Sequence, residues 1–219
     1  MTTDTARDLR FMDQAIALAR TGLGQTWPRP SVGCVLVKGD EVVGAGRTDG
    51  TRPAHAEAVA LAAAGARAHG ATAYVTLEPC AHHGATPPCA DALVAAGIAR
   101  AVVAIRDPDP RTNGAGLAIL RQAGIEVATG CRAEAAAEAQ AGFLTRVTLG
   151  RPRLILKLAM TLDGRIATAT GESRWITGPA ARAEVHTARA ASDAVMIGAG
   201  TARVDDPSLT VRDAPAPPR

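Results

Sequence analysis

The chain has 219 residues, 47% hydrophobic and 21% charged, which excludes general disorder and fits one large domain or a domain and a half. Lys+Arg 24 against Asp+Glu 21 leaves a net charge of +3, too small a bias to indicate a nucleic-acid or membrane partner. Nothing approaches the roughly 18 uninterrupted apolar residues of a membrane span, and the polar start MTTDTARDLR is not a secretory signal. Aromatics are 2%, so the core must be built from Ala, Val, Leu and Ile. Four unevenly spaced cysteines point to metal binding or burial in a reducing cytoplasm, not to a disulfide framework.

Leu9, Met12, Ile16 and Ala19 recur at helical spacing and predict a helix over 9–20 that stops near Gly22. Residues 32–37, the turn Lys38-Gly39-Asp40 and residues 41–47 predict a β-hairpin. The Ala-rich run 56–64 predicts a helix, AYVTL (73–77) a strand, 90–96 a helix and AVVAI (101–105) a strand. A helix over 116–123, a strand over 125–129 and a helix over 134–146 complete a unit that closes near residue 147. Strands alternating with helices after a hairpin predict a mixed sheet covered on both faces. A second segment opens at Arg151-Pro152, with a strand over 154–159 (LILKLA), a turn at Asp163-Gly164, a helix over 179–191 and a strand over 194–198. It ends in the Pro-rich DAPAPPR, and its roughly seventy residues are few for a full α/β domain.

The chemistry concentrates in His55-Ala56-Glu57, Pro79-Cys80 and Pro87-Pro88-Cys89. Zinc favours tetrahedral imidazole and thiolate ligands, and a catalytic site leaves its fourth position to water. His55, Cys80 and Cys89 supply a three-ligand set. Both cysteines follow prolines at expected helix starts, where free N–H groups favour a thiolate. Residues two apart on a regular helix point about 200° from each other. Glu57 can therefore reach the same centre as His55 only if His55 sits at the helix start, which Pro53 favours. Glu57 would then move a proton from the water to a leaving amine. Each fragment alone is weak, but together they match the zinc-deaminase signature. A structural zinc site and buried free cysteines are the alternatives. Cys34, in an apolar strand, and Cys131, at a strand exit, read as packed thiols. His69 and His186 read as solvated. His82 and His83 lie between the two cysteines, and His82 is the preferred substrate contact.

With eight residues between the cysteines, TLEPCAHHGATPPCADAL resembles the bifunctional riboflavin-biosynthesis deaminase/reductase family. PSVGCVLV, DPDPRTNGAG, LKLAMTLDGRIATATGESRWITG and GAGTARVDDPSLTVR extend the resemblance over nearly the whole chain. It implies an α/β fold: a cytidine-deaminase-like three-layer αβα sandwich with a mixed sheet over 1–147, then a partial dihydrofolate-reductase-like α/β segment over 151–219. It implies Zn2+ held by His55, Cys80 and Cys89, with Glu57 as proton shuttle. The reaction it implies is deamination of 2,5-diamino-6-(5-phosphoribosylamino)pyrimidin-4(3H)-one to 5-amino-6-(5-phosphoribosylamino)uracil. In the second segment it implies NADPH contacts at Ala159, Trp175, Thr201 and Asp205, and substrate contacts at Ser173, Arg189, Leu209 and Arg212, with Lys157 a further candidate. The expected partner is the small phosphoribosylaminopyrimidine, with no nucleic acid and no membrane; association with further copies of the chain is left open.

Three positions depart from the family pattern: Arg29 where Asn is usual, Ala85 where Lys or Arg is usual, and Ala115 where Arg is common. They bear on substrate affinity, not on zinc. The competing readings are a zinc deaminase of another nucleobase or nucleotide and a catalytically silent zinc-binding scaffold. The reductase half is expected to be incomplete and inactive by itself, with NADPH binding weak or absent.

Overall fold

The computed structural model describes residues 5–84 and 87–212. The Thr5 hydroxyl accepts the Asp8 N–H and starts α1 (Ala6–Arg20), whose Phe11, Met12, Ala15, Ile16 and Ala19 make one buried stripe. The hairpin follows as β1 (Gly33–Lys38) and β2 (Glu41–Arg47), then α2 (Ala56–Ala64) and β3 (Thr72–Val75). Next come α3 (Cys89–Ala95), β4 (Arg100–Val103), α4 (Ala115–Gln122) and β5 (Glu126–Thr129). The strand order is β2-β1-β3-β4-β5, with β1 antiparallel to both neighbours and the other pairs parallel. The sheet is therefore mixed, as the alternation predicted.

Period-two alternation along the strands builds the three layers. Cys34 and Leu36 of β1 turn to one face and pack with Ala56 and Ala60 of α2, Leu93 of α3 and Leu120 of α4. Val35 and Val37 turn to the other, against Phe11, Met12 and Ile16 of α1 and Ala136 of α5 (Ala133–Ala139). A core this poor in aromatics packs by bringing backbones close. A Cβ on Gly44 would lie 2.3 Å from the Ala60 carbonyl oxygen, and one on Gly46 would lie 2.7 Å from that of Ala56. Strand β2 and helix α2 thus touch backbone to backbone, which fixes where α2 begins.

Where one helix was expected over 134–146, two occur: α5 and α6 (Ala141–Leu149), meeting at Gln140. Gln140 leaves helical geometry at φ −114°, and its buried amide donates to the Thr76 carbonyl at 3.1 Å.

The chain divides into two compact units between Arg153 and Leu154. The second holds α7 (Pro179–Ala190) and α8 (Ala199–Asp205), the latter not foreseen from sequence. The strands expected over 154–159 and 194–198 are absent, because no neighbouring strand among the described residues offers them a ladder. None of the described residues of this unit is buried. Among the described residues, no helix is long and apolar enough to cross a membrane.

One buried ion pair ties the first helix to the sheet. The Asp8 side chain, 3% exposed, takes Arg100 Nη1 at 2.7 Å and Nη2 at 3.0 Å, and the Tyr74 hydroxyl donates to it at 2.9 Å. The Arg100 hydrogen bonds hold the Asp8 carboxyl below its ordinary value of 3.8. That stabilisation is fully present above the unfolded-state value and is lost as the pH falls through the lower folded-state value. Asp8→Asn is expected to cost about 2–3 kcal/mol near neutral pH, by urea unfolding. The gap to the parent should close as the pH drops below the carboxylate range; a pH-independent gap would assign the loss to packing alone.

Candidate metal centre and active site

Strands β3 and β4 end side by side at Val75 and Val103, and the segments that follow open at the carboxyl edge of the sheet, where crevices form in α/β folds. A cavity of about 340 Å³ lies there, lined by His55, Glu57, Glu78, Cys80, Asp107 and Arg111 among others.

His55 is the N-cap of α2, in extended geometry at φ −82° and ψ 158°, as convergence with Glu57 requires. Its Nδ1 lies 3.5 Å from Cys80 Sγ and 3.2 Å from Cys89 Sγ. The three ligand atoms all fall within 4.8 Å of one another. Zn–S bonds of roughly 2.3 Å and Zn–N bonds of roughly 2.0 Å at tetrahedral angles place N and S about 3.6 Å apart, so this donor set fits zinc.

Only one cysteine opens a helix. Cys89 is the first residue of α3 after Pro88, whereas Cys80 lies in the non-helical segment after β3, correcting the expectation that both start helices. The helix still serves Cys80, because the Cys89 N–H at the start of α3 donates to Cys80 Sγ at 3.3 Å. Donation from the Cys89 side chain, followed by His55, pulls the Cys80 thiol down to about 4, while Cys80 and burial push Cys89 up. The Cys80 contact in turn raises the His55 ring. Glu57, 3% exposed, is pushed up to about 7 by burial and meets the Cys89 side chain. A carboxyl in that range can both take and return a proton near neutrality.

Glu78 was passed over in the sequence reading, although it stands directly before Pro79-Cys80. Its buried carboxylate accepts the N–H groups of Asp107 at 3.2 Å, Gly114 at 3.0 Å and Leu117 at 3.2 Å. Gly114 is the N-cap of α4 and offers no side chain, so Glu78 caps that helix from another segment. The cap holds the loop carrying Asp107, Asp109 and Arg111 against the cavity. Gly116 permits the approach, since a Cβ there would fall 2.0 Å from the Pro79 carbonyl oxygen.

His82 is half-buried and lines the cavity, its Nδ1 3.4 Å from the Thr112 hydroxyl, whereas His83 is exposed. Arg29 lines it too; Ala115 is exposed as the first residue of α4, and Ala85 lies outside the described residues. Cys34 and Cys131 are buried, and burial pushes the Cys34 thiol well up.

In the second unit, Arg189 donates to the Thr210 carbonyl at 2.6 Å, and Arg212 reaches the Thr210 and Ser208 hydroxyls and gives its N–H to His186 at 3.0 Å. Leu209 lies between them at φ 50°. Thr201 and Asp205 share α8, one turn apart. Trp175 is 74% exposed beneath the Arg182 guanidinium. Lys157 and Ser173 are exposed, and Ala159 is half-buried.

Residues 5–105 match the family described as cytidine and deoxycytidylate deaminase zinc-binding region, and residues 152–219 match the RibD C-terminal domain. The riboflavin biosynthesis protein RibD of Escherichia coli is 51% identical over 206 residues, 94% of this chain and 56% of that protein. Among solved structures, Acinetobacter baumannii RibD superposes with a TM-score of 0.85 at 51% identity, over 95% of this chain and 59% of that one. The Thermotoga maritima diaminohydroxyphosphoribosylaminopyrimidine deaminase/5-amino-6-(5-phosphoribosylamino)uracil reductase superposes with a TM-score of 0.87 at 43% identity, over 94% and 59%. The chain thus spans a little over half the length of the relatives it matches. Over that span, its sequence and fold match those of the RibD riboflavin-biosynthesis proteins.

Proposed function

We propose that the first domain, residues 1–147, is a zinc-dependent hydrolase that deaminates 2,5-diamino-6-(5-phosphoribosylamino)pyrimidin-4(3H)-one to 5-amino-6-(5-phosphoribosylamino)uracil and ammonia. The observation that carries this reading is the convergence of His55, Cys80 and Cys89 on one point beside the buried Glu57, within a cavity. The identity of the RibD relatives supports the choice of substrate.

His55 Nδ1 and the two Sγ atoms are the groups that would hold the metal. Bound zinc supplies Lewis acidity that lowers the pKa of water at the site. The Glu57 carboxylate takes a proton from the attacking water and delivers it to the departing 2-amino nitrogen, so the C–N bond breaks as the C–O bond forms. His82 supports the ring from the segment between the cysteines, and the loop held by Glu78 closes the opposite side.

The purified chain is expected to carry about one zinc, the load of a single three-ligand site. Cys80→Ser or Cys89→Ser should lose it, while Cys34→Ser and Cys131→Ser keep it. Zinc retained after loss of Cys80, by metal analysis, would remove these ligands from the assignment.

Glu57→Gln keeps the shape and loses the titrating proton, and general acid–base catalysis contributes about 10²–10⁴-fold. The variant should fold, hold zinc and release ammonia at least about a hundredfold more slowly. Turnover within a few-fold of the parent would exclude Glu57 from proton transfer. Ammonia release from cytidine but not from the diaminopyrimidinone would point to another base as substrate, and release from neither would leave a silent zinc scaffold.

For residues 151–219 we propose the N-terminal portion of an NADPH-dependent reductase domain, with Ala159, Trp175, Thr201 and Asp205 toward the cofactor. Lys157, Ser173, Arg189, Leu209 and Arg212 would lie toward the sugar. The described residues of this unit bury nothing, and Leu154, Leu156 and Trp175 are 73%, 82% and 74% exposed. A dinucleotide site needs a concave wall that buries most of its ligand. The 219-residue chain is therefore expected to show no NADPH oxidation coupled to a ribityl product. Stoichiometric oxidation by the purified chain would contradict this.

A further inference from the structure

The cavity is lined by Arg29, Arg111 and Arg146, and their partners sort them. Arg111 is neutralised by Asp109, with Nη2 at 2.6 Å and Nε at 3.0 Å from its carboxylate. Arg29 instead donates to two backbone carbonyls, Asp49 at 2.7 Å and Arg52 at 2.9 Å. Arg146 donates to the Pro28 carbonyl at 2.9 Å and lies over the Phe143 ring, 5.6 Å from its centroid. Among the described residues, neither Arg29 nor Arg146 pairs with a carboxylate.

Neutral acceptors fix a guanidinium without cancelling its charge. The Arg146 head rests on residue 28, next in sequence to Arg29, so two ordered positive groups border the same stretch of cavity wall. Of the acids that line the cavity, Asp109 is paired with Arg111, while Glu78 and Asp107 accept backbone N–H groups and, like Glu57, lie outside ion-pair distance of Arg29 and Arg146 among the described residues. An uncompensated pair of this kind, fixed in place and partly open, suits a tetrahedral dianion with several acceptor oxygens.

We propose that Arg29 and Arg146 together seat the phosphate monoester of the ligand, a role that rests on the deaminase reading for its substrate but not for its charge logic. Arg29, half-buried, gives the inner contact, and Arg146, exposed, gives the outer one. The pair orients the ligand by its phosphate end and leaves the ring to the metal centre. Both are binding residues, so their loss acts on affinity.

The test uses the zinc-loaded full chain, calorimetry with ribose 5-phosphate against ribose, and the variants Arg29→Gln, Arg146→Gln and Arg29→Lys. Charge-assisted hydrogen bonds predict that ribose 5-phosphate binds about 10- to 100-fold tighter than ribose. Each Gln variant should lose about tenfold of that preference, Arg29→Lys should keep most of it, and added salt should weaken it. With the diaminopyrimidinone, the Gln variants should raise KM for the phosphorylated but not the dephosphorylated form, with kcat within about twofold. Equal binding of ribose and ribose 5-phosphate, or a phosphate preference that survives in both Gln variants, overturns the proposal. If no ammonia is released but ribose 5-phosphate binding behaves as stated, the deaminase reading falls and the phosphate seat stands.

Discussion

His55 and Glu57 are two residues apart, and helical geometry would send their side chains to opposite sides of α2. The site exists because His55 is not in the helix. At φ −82° and ψ 158° its backbone is still extended, so the imidazole turns toward Cys80 and Cys89 while Glu57, one residue into the helix, points inward from the first turn. Everything that sets the start of α2 therefore sets the metal centre. The glycines of β2 are part of that setting, because their missing Cβ atoms let the α2 backbone lie against the strand. Chemistry at the rim of the sheet depends on packing several residues below it.

Glu78 gives the opposite wall a comparable anchor. A buried carboxylate without a partner would be costly, yet three backbone N–H groups converge on this one, two of them at the start of α4. The same carboxylate stands two residues before Cys80. The ligand cysteine and the Asp107–Arg111 loop are thus tied through one side chain, so displacement of either wall is transmitted to the other.

Much of this could be read in the sequence, for identifiable reasons. The His55, Cys80 and Cys89 set depends on residue types that zinc demands, and a helix-start position for His55 is what convergence with Glu57 at a two-residue spacing requires, with Pro53 favouring it. The alternation of strands with helices foretold a sheet covered on both faces, and β1 meets it with Cys34 and Leu36 on one face and Val35 and Val37 on the other. What stayed hidden depends on partners distant in sequence. Glu78 looks like any acid until the N–H groups of residues 107, 114 and 117 fold onto it. The split at Gln140 depends on Thr76, and Cys80 lost its expected helix because only the second of the two Pro-Cys pairs opens one. In the second unit, apolar runs such as LILKLA read as strands, but a strand is a property of a pair, and no described neighbour completes it.

The charges of the cavity divide orientation from reaction. Two thiolates offset the double charge of a bound zinc ion, so the metal centre adds little net field to draw an anion toward it. With Arg111 committed to Asp109, the uncompensated positive charge of the wall is concentrated at Arg29 and Arg146. For the proposed ligand, with one anionic end and one neutral, amino-bearing ring, this distribution favours one sense of entry, phosphate to the guanidiniums and ring to the ligand cluster. The polarity that would align it is built from groups that take no part in proton transfer, which separates the proposed grip on the phosphate from the acid–base work of Glu57.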